Sequence, residues 1–247
     1  MRAAAISLRL QHKVANVRAV FGGGYEPEIA AIIRRVRPFT MTSPARIAAV
    51  CDAISYIVNA RIEGDVVECG VYKGGSSMAA ALRLKQSGQT NRNLHLFDTF
   101  SGMTAPTEHD RSSTSGFAAS DLLSASPEHA DVVAKAGLEE VRINMTSTEY
   151  PSDRVRFVIG PVERTLPEFA PEKIAVLRLD TDWFASTKHE LVHLFPRLSE
   201  GGVLIVDDYG AWEGSKKATD EYFSGDGPRI FLSRSDFTGR IGIKYSR

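Results

Sequence analysis

The chain of 247 residues carries 30 basic and 30 acidic side chains, and 43% of its residues are hydrophobic. This composition is typical of a globular protein with a full core, and the balanced charge argues against nucleic acid or an anionic membrane surface as a partner. Two cysteines, Cys51 and Cys69, are too few for a disulfide framework, and no run approaches the roughly 18 apolar residues of a membrane span. We therefore expect a cytoplasmic protein without a membrane span.

The first 62 residues are predicted to form a helical leader, interrupted at Gly22-Gly23-Gly24 and at residues 38–44. Apolar residues between positions 44 and 62 recur at spacings of three and four, which predicts a helix that packs beside a sheet. We divide the chain into this N-terminal segment, residues 1–62, and a second unit at residues 63–247.

Short β-rich runs then alternate with helical stretches, and they cover residues 66–69, 94–98, 155–158, 174–179 and 203–206. Alternation of buried strands with helices predicts an α/β fold, a doubly wound and mostly parallel sheet with helices on both faces. Two further runs at 229–232 and 241–245 are close enough to form an antiparallel pair. That pair would complete a seven-stranded sheet.

A long polar connection occupies residues 99–153 and is rich in Ser, Thr, Glu and Asp. Connections of this length are usually lids, substrate loops or disordered segments. We expect one or two helices in it at most, for example over residues 128–138.

The first predicted strand ends in Glu68 and is followed by Gly70, Gly74 and Gly75 and by a helix predicted over residues 78–84. Such a loop lets a nucleotide-like ligand approach the backbone. The spacing of these glycines differs from the Gly-x-Gly-x-x-Gly of dinucleotide-binding sites. An acidic side chain at this position would repel a phosphate group, but it suits a positively charged sulfonium or the amine of a methionine moiety. Asp98, which ends the next strand, is placed to accept hydrogen bonds from ribose hydroxyls. The alternative is that the glycines only close a turn and Asp98 caps a helix.

Acidic residues also follow two later strands. Asp180 and Asp182 come after the strand at 174–179, and Asp207 and Asp208 come after the strand at 203–206. Neighbouring strand ends would bring Asp180, Asp207 and Asp208 together, where a hard cation such as Mg²⁺ would relieve their repulsion. Asp182 would then be placed as a general base. The alternative is that Asp180 or Asp182 caps the helix after Ser186 and that the later pair forms a solvated turn.

Residues 189–193 match the His-Glu-x-x-His signature of zinc proteases. We predict that His189, Glu190 and His193 lie on the outer face of a helix, opposite Leu191 and three further apolar residues, Leu194, Phe195 and Leu198. Thr187 and Glu190 also have the spacing of a capping box. We therefore interpret the match as a coincidence.

With these residues the chain resembles the macrocin O-methyltransferase family, metal-dependent enzymes that methylate sugar hydroxyls of macrolide and aminocoumarin antibiotics. The resemblance runs from about Phe39 to Phe223 and is carried by FTMTS at residues 39–43, VECGVYKGGS at 67–76, LFDTFSGM at 96–103, LRLDTD at 177–182 and GGVLIVDDY at 201–209. It implies a class I, Rossmann-like methyltransferase fold over residues 63–247, with S-adenosylmethionine as the methyl donor. It also implies a homo-oligomer, at least a dimer, with a lid or oligomerisation role for residues 1–62, and a sugar hydroxyl of a small molecule or glycan as the acceptor.

The resemblance also implies roles for particular residues. Mg²⁺ would bind Asp180, Asp207 and Asp208, and Asp182 would be the catalytic base. The donor would contact Thr40 and Met41, the loop residues Glu68, Cys69, Gly70, Val71 and Tyr72, the ribose-side residues Asp98 and Ser101, and Asp180. The chain departs from the family pattern at Tyr72-Lys73 and in the long segment after Asp98, where an acceptor pocket would form. A nicotinamide-dependent oxidoreductase and a non-catalytic nucleotide-binding domain are the alternative functions.

Overall fold

The structure, a computed structural model, describes residues 24–125, 134–225 and 227–245. Its strands are β1 (Asp65–Cys69), β2 (Leu94–Asp98), β3 (Val155–Ile159), β4 (Ile174–Leu179), β5 (Leu198–Val206), β6 (Ser233–Arg234) and β7 (Arg240–Ile243). Its helices are α1 (Pro27–Val36), α2 (Pro44–Asn59), α3 (Gly75–Gln86), α4 (Ala119–Ala125), α5 (Leu138–Ser147), α6 (Val162–Thr165), α7 (Phe184–Leu194) and α8 (Glu213–Tyr222), with 3₁₀ turns at Arg37–Phe39, Ser152–Arg154 and Phe195–Arg197.

The strands form a single seven-stranded sheet in the order β3-β2-β1-β4-β5-β7-β6. Strands β1 to β5 are parallel, and β7 runs antiparallel to both β5 and β6. The predicted doubly wound, mostly parallel sheet is therefore confirmed. The strand order reverses between β1 and β4, and ligands of such sheets bind at the carboxyl ends beside that reversal.

Both faces of the sheet are buried under helices. Along β5, Val203 and Ile205 pack into one apolar cluster and Leu204 and Val206 into another, which is the two-residue period of a strand covered on both sides. Helices α1, α2, α3 and α5 supply side chains to the first cluster, and α7 supplies Leu191 and Leu194 to the second. No helix in the described ranges is both long and apolar enough to cross a membrane.

The N-terminal helices pack into the main core. Helix α2 begins after Ser43, whose hydroxyl accepts a hydrogen bond from the Arg46 N–H at 3.2 Å, and its Pro44 takes the first helical position. The helix predicted to reach residue 62 ends at Asn59, because Arg61 has a φ of 56°. The division at residues 62 and 63 and the lid or oligomerisation role stay predictions, and Gly22 and Gly23 lie outside the described residues.

The strand predicted at residues 229–232 is not formed. The edge strand β6 follows it at Ser233–Arg234 and pairs with β7, so the predicted antiparallel pair exists but lies later in the chain. Ile230 and Leu232 pack against the second apolar cluster without pairing in the sheet. The prediction of a strand at this place is therefore wrong: Ile230 and Leu232 are only partly buried, and Phe231 between them is exposed.

The long connection after β2 is packed against the rest of the protein where it is described. Residues 134–137 are not helical, so the helix predicted over 128–138 does not reach its predicted end, and residues 126–133 lie outside the described part. Helix α5 packs on the loop after β1, where the Asn144 amide donates to the Lys73 carbonyl at 2.9 Å. The first part of the connection is tied to the start of α7, where the Phe184 N–H donates to Asp110, and to the start of α8, where the Glu213 N–H donates to the Arg111 carbonyl at 2.9 Å.

Candidate active site

A cavity lies beyond the carboxyl ends of β1, β2, β4 and β5, at the point where the strand order reverses. Most of the residues predicted to form the site line it, namely Thr40, Met41, Gly70, Val71, Tyr72, Asp98, Asp180, Asp182, Asp207 and Asp208. Arg46, Thr104, Glu163 and Thr181 line it as well. Glu68, Cys69 and Ser101 do not belong to the lining: the first two are buried below it and Ser101 is exposed outside it.

Two glycines allow the backbone to approach other segments at the cavity floor. A Cβ on Gly70, whose φ is 80°, would lie 1.9 Å from the Asp180 carbonyl oxygen. A Cβ on Gly75 would lie 2.6 Å from Cβ of Thr40. The loop after β1 therefore contacts both the end of β4 and the segment before α2 through positions where a side chain has no room.

Asp98 fixes the loop after β1. One of its carboxylate oxygens accepts hydrogen bonds from the Val71 and Tyr72 N–H groups at 2.6 and 3.1 Å. The other accepts one from the Phe100 N–H at 2.7 Å. Since Oδ2 already accepts two of these hydrogen bonds and each carboxylate oxygen has two lone pairs, it is Oδ1 that can still accept a hydrogen bond from a ligand in the cavity.

Glu68 is directed into the protein. Its carboxylate accepts hydrogen bonds from the Ser77 hydroxyl and from Nη1 of Arg178, the second at 2.6 Å. Burial raises the pKa of Glu68, and the adjacent Arg178 opposes that rise. A direct contact of Glu68 with the donor stays a prediction, since its oxygens face these two side chains.

Carboxyl groups converge at the other end of the cavity. Asp180, Asp207 and Asp208 each present an oxygen within 4.8 Å of the others. This is the convergence that the strand ends predicted. Asp182, two residues after Asp180, lines the same cavity.

Two arginines lie among these carboxyl groups. Arg178, buried in β4, donates to Glu68, Asp180 and Asp207, each at 2.6 Å, and to the Thr42 hydroxyl at 3.1 Å. Arg46 of α2 forms an ion pair with the other carboxylate oxygen of Asp207 and a second one with Asp236. Burial lowers the pKa of Arg178, but the surrounding carboxylates outweigh it and hold the pKa well above the ordinary value, so this side chain stays charged.

The remaining negative charge is not compensated by these arginines. Burial, with added repulsion from Asp180, raises the pKa of Asp182 to about 8. Burial and repulsion from neighbouring carboxylates also raise the pKa values of Asp180 and Asp208 well above their ordinary range. Carboxyl groups in this condition attract either protons or a cation.

The donor set fits a hard divalent cation. Oδ2 of Asp208 is buried and has no hydrogen-bond partner among the described residues, and Asp208 is one of the three residues whose oxygens converge. Oxygen ligands of this type suit Mg²⁺. Asp207 already binds an arginine at each oxygen, so it would serve a cation through its remaining lone pairs.

Asp182 occupies a tight turn between β4 and α7. Its φ is 67°, and the Trp183 N–H donates to the Thr181 carbonyl at 2.8 Å, which closes a three-residue turn around it. This conformation is uncommon for a residue other than glycine and is found mainly at functional sites. The turn directs Asp182 toward the cavity, where the Trp212 side chain hydrogen-bonds to it and lowers its pKa.

Helix α7 differs from its sequence prediction. It begins at Phe184, whose N–H donates to Oδ1 of Asp110 at 2.7 Å. Neither Asp180 nor Asp182 therefore caps this helix. The predicted capping box of Thr187 and Glu190 is wrong, because both residues lie within the helix. Glu190 is fully buried, not on the outer face as predicted. His189 and His193 contact each other, and neither lines the cavity.

The sequence carried some signals that its interpretation missed. Ser186, Thr187, Glu190, Leu191 and Leu194 follow the spacing of one helix face, and all of them are buried. Counting only apolar residues shifted the predicted face away from Glu190. Arg178 interrupts a fully buried strand, and a charge at such a position is almost always paired. Arg46 and Asp110 had no comparable signal, because their partners are far away in the chain.

Comparison with known proteins gives consistent matches. Residues 34–239 match the family described as macrocin-O-methyltransferase (TylF). The chain is 34% identical over 200 residues, 81% of this chain and 73% of the relative, to the 8-demethyl-8-(2,3-dimethoxy-alpha-L-rhamnosyl)-tetracenomycin-C 4'-O-methyltransferase of Streptomyces olivaceus. It is 31% identical over 183 residues, 74% of this chain and 67% of the relative, to the demethyldecarbamoylnovobiocin O-methyltransferase of Streptomyces niveus. Among solved structures, the O-methyltransferase NovP superposes with a TM-score of 0.73 at 30% identity, covering 84% of this chain and 83% of NovP.

Proposed function

The chain belongs to the macrocin O-methyltransferase family and is an S-adenosylmethionine-dependent O-methyltransferase, and from this premise we propose that it methylates a sugar hydroxyl of a natural product or glycan. The observation that carries the proposal is the meeting of four carboxyl groups, Asp180, Asp182, Asp207 and Asp208, with the glycine loop after β1 in one cavity. The tetracenomycin relative carries a rhamnosyl group in the name of its substrate, which supports a sugar acceptor. Family membership excludes the oxidoreductase and the non-catalytic alternatives.

The methyl donor would occupy the cavity end formed by Gly70, Val71, Tyr72 and Asp98. Asp98 would accept a hydrogen bond from a ribose hydroxyl through Oδ1 while it holds the loop after β1. Thr40 and Met41 line the same cavity and would cover the donor. Such fixed contacts align the methyl group with the acceptor before reaction.

Asp180, Asp207 and Asp208 would hold Mg²⁺, and this cation would lower the pKa of an acceptor hydroxyl when bound. The mutual repulsion of these carboxyl groups and the unpartnered Oδ2 of Asp208 support the assignment. Arg178 would keep Asp180 and Asp207 in place whether or not the cation is present, because its hydrogen bonds to both are made within the protein.

Asp182 would act as the general base. Its carboxylate would accept the proton of the acceptor hydroxyl as the oxygen attacks the methyl group. The bond between the methyl carbon and sulfur breaks while the carbon–oxygen bond forms, which yields a methyl ether, S-adenosylhomocysteine and protonated Asp182. In the cation-free protein Asp182 has a pKa of about 8 and is mostly protonated at neutral pH, and a positive charge held by Asp180, Asp207 and Asp208 would lower that pKa and free the carboxylate to act as the base.

Two further properties belong to the same proposal. The low cysteine count supports a cytoplasmic enzyme. The family resemblance supports a homo-oligomer, at least a dimer, in which residues 1–62 contribute to the interface or to a lid.

Calorimetric titration with S-adenosylmethionine, with and without Mg²⁺, tests the donor and the cation together. We expect S-adenosylmethionine to bind and NADH not to bind, and we expect methyl transfer to a panel of rhamnosides and other glycosides only when Mg²⁺ is present. Methyl transfer from S-adenosylmethionine to non-sugar hydroxyls alone would contradict the sugar acceptor. Full activity after exhaustive chelation would contradict the cation.

A further inference from the structure

Glu190 is a buried acid that the proposed chemistry does not use. It projects from α7 toward the turn after β4 and is 0% exposed. Its Oε1 accepts a hydrogen bond from the Thr181 hydroxyl at 2.9 Å, and its Oε2 is buried with no hydrogen-bond partner among the described residues. A buried carboxyl group is costly to retain, so it needs a specific role.

The partner of Glu190 is one end of the catalytic turn. The Thr181 carbonyl accepts hydrogen bonds from the Trp183 N–H at 2.8 Å and from the Ser186 hydroxyl at 3.4 Å. The residue between Thr181 and Trp183 is Asp182, with its positive φ. A conformation of this kind persists only where the surroundings hold it.

The turn is attached to the protein on both sides. On one side the Trp183 indole N–H donates to the Thr104 carbonyl at 2.9 Å, and on the other side the Thr181 hydroxyl donates to Glu190. Trp183 and Glu190 are both buried, so neither attachment competes with bulk water.

We propose that Glu190 is a positioning residue, which holds Thr181 and through it the turn that presents the Asp182 carboxylate to the acceptor hydroxyl. This inference rests on the proposed role of Asp182 as the base. The carboxyl group acts as a hydrogen-bond partner from the rigid helix α7 and does not touch the reacting atoms. Burial, with repulsion from the acidic Glu163 and Asp180, raises the pKa of Glu190 well above its ordinary value, which agrees with a neutral partner of this kind.

Matched variants separate this role from simple filling of the core. Glu190→Gln keeps an oxygen acceptor of the same size, and Glu190→Leu removes it. Thr181→Ser keeps the hydroxyl, and Thr181→Val replaces it with a methyl group. We expect Glu190→Leu and Thr181→Val each to lower kcat about tenfold, the effect of losing roughly 1.4 kcal/mol of transition-state stabilisation. Glu190→Gln and Thr181→Ser should retain kcat within about twofold, which is well below that change.

The Kd of S-adenosylmethionine should stay unchanged in all four variants, because the donor end of the cavity is formed by residues 70–72 and Asp98 and not by this turn. The double variant Thr181→Val/Glu190→Leu should be no slower than either single variant, since both remove the same hydrogen bond.

A spectroscopic readout needs no substrate. The chain has two tryptophans, Trp183 and Trp212, and their ring centroids lie 4.9 Å apart at an interplanar angle of 74°. Near-UV circular dichroism of this pair reports the geometry of the turn. We expect Glu190→Leu and Thr181→Val to change the near-UV spectrum in the same way and the two conservative variants to leave it unchanged.

The outcomes are distinct. Loss of thermal stability in Glu190→Leu with unchanged kcat and an unchanged near-UV spectrum would show a core role only and would overturn the proposal. If Glu190→Leu does not fold, Thr181→Val carries the test, because it leaves the carboxyl group in place. A wild-type protein without methyl transfer to any glycoside would refute the proposed acceptor, while the near-UV comparison would still decide whether Glu190 holds the turn.

Discussion

The two halves of the cavity are held together by different forces. In the donor half, which comprises residues 70–72 and Asp98, a carboxylate accepts hydrogen bonds from backbone N–H groups. In the carboxylate half, which comprises Asp180, Asp182, Asp207 and Asp208, acidic side chains crowd around two arginines, and burial and mutual repulsion raise the pKa values of Asp180, Asp182 and Asp208. The donor half is complete without a further charge, whereas the carboxylate half needs a proton or a cation. The predictions below test this difference.

The largest effect is expected for Asp182→Asn in the carboxylate half. Loss of the general base should lower kcat about 10²- to 10⁴-fold. The Kd of S-adenosylmethionine should not change, because the donor half is untouched. Steady-state rates and calorimetric titration measure the two quantities, with Asp153→Asn, an exposed acid outside the cavity, as the matched control. A variant with nearly normal kcat would show that Asp182 is not the base.

The second prediction concerns the dependence of turnover on Mg²⁺, which should involve the carboxylate half and not the donor half. Chelation should abolish turnover and Mg²⁺ should restore it. Asp208→Asn removes a charged ligand, so we expect the Mg²⁺ concentration for half-maximal rate to rise by about tenfold or more. A tenfold change corresponds to roughly 1.4 kcal/mol of binding free energy. Titration of Mg²⁺ against initial rate measures this. An unchanged Mg²⁺ requirement would remove Asp208 from the ligand set.

Asp98→Ala, in the donor half, should weaken the binding of S-adenosylmethionine more than it lowers kcat. Hydrogen bonds to a charged group contribute about 1.5–3 kcal/mol, so we expect the Kd of S-adenosylmethionine to rise about tenfold or more, with kcat at saturating donor changed much less. Asp98→Asn, which keeps an oxygen acceptor, should lose less affinity. A normal Kd in Asp98→Ala would mean that the donor does not use this carboxylate.

The smallest effect concerns stability against pH. Asp182 has a folded pKa of about 8 against an ordinary value of 3.8, so between these pH values the folded protein binds more protons than the unfolded chain. The stabilisation of the folded state by this proton is complete below pH 3.8 and is lost as the pH rises toward 8. For one proton the free energy of unfolding falls by at most about 1.4 kcal/mol per pH unit. The Tm of the cation-free protein should therefore fall between pH 5 and pH 8, and less steeply in Asp182→Asn or with Mg²⁺ added. A Tm that rises over this interval would contradict the raised pKa.

The parts of this molecule that sequence predicted well depend on short-range patterns. A buried strand followed at once by an acid identified Asp98, Asp180 and Asp207, because parallel strand ends necessarily share an edge of the sheet. Family membership and the seven-stranded sheet followed from the same segments.

The parts that sequence did not predict depend on long-range pairing. The hydrogen bond from the Phe184 N–H to Asp110 crosses 74 residues, and the ion pair of Arg46 with Asp207 crosses 161. No local periodicity encodes such contacts. Glu190 is an intermediate case. Its position along α7 has the spacing of the buried residues, but its charge suggested that it would be exposed. The hydrogen bond that it accepts from Thr181 could not be read from the sequence pattern.

Asp110 has a consequence for how this enzyme can change over time. Its carboxylate holds Thr107 and Phe184, and its carbonyl accepts the Ala119 N–H, so one buried residue fastens the long connection to the start of α7. Asp110 thereby divides the long connection into two loops, one before it and one after it. The ends of each loop are held together separately. Residues 111–125 supply no lining residue of the cavity, so we expect sequence changes there to be tolerated over time unless they disturb the pairing of Ser112 with Trp212.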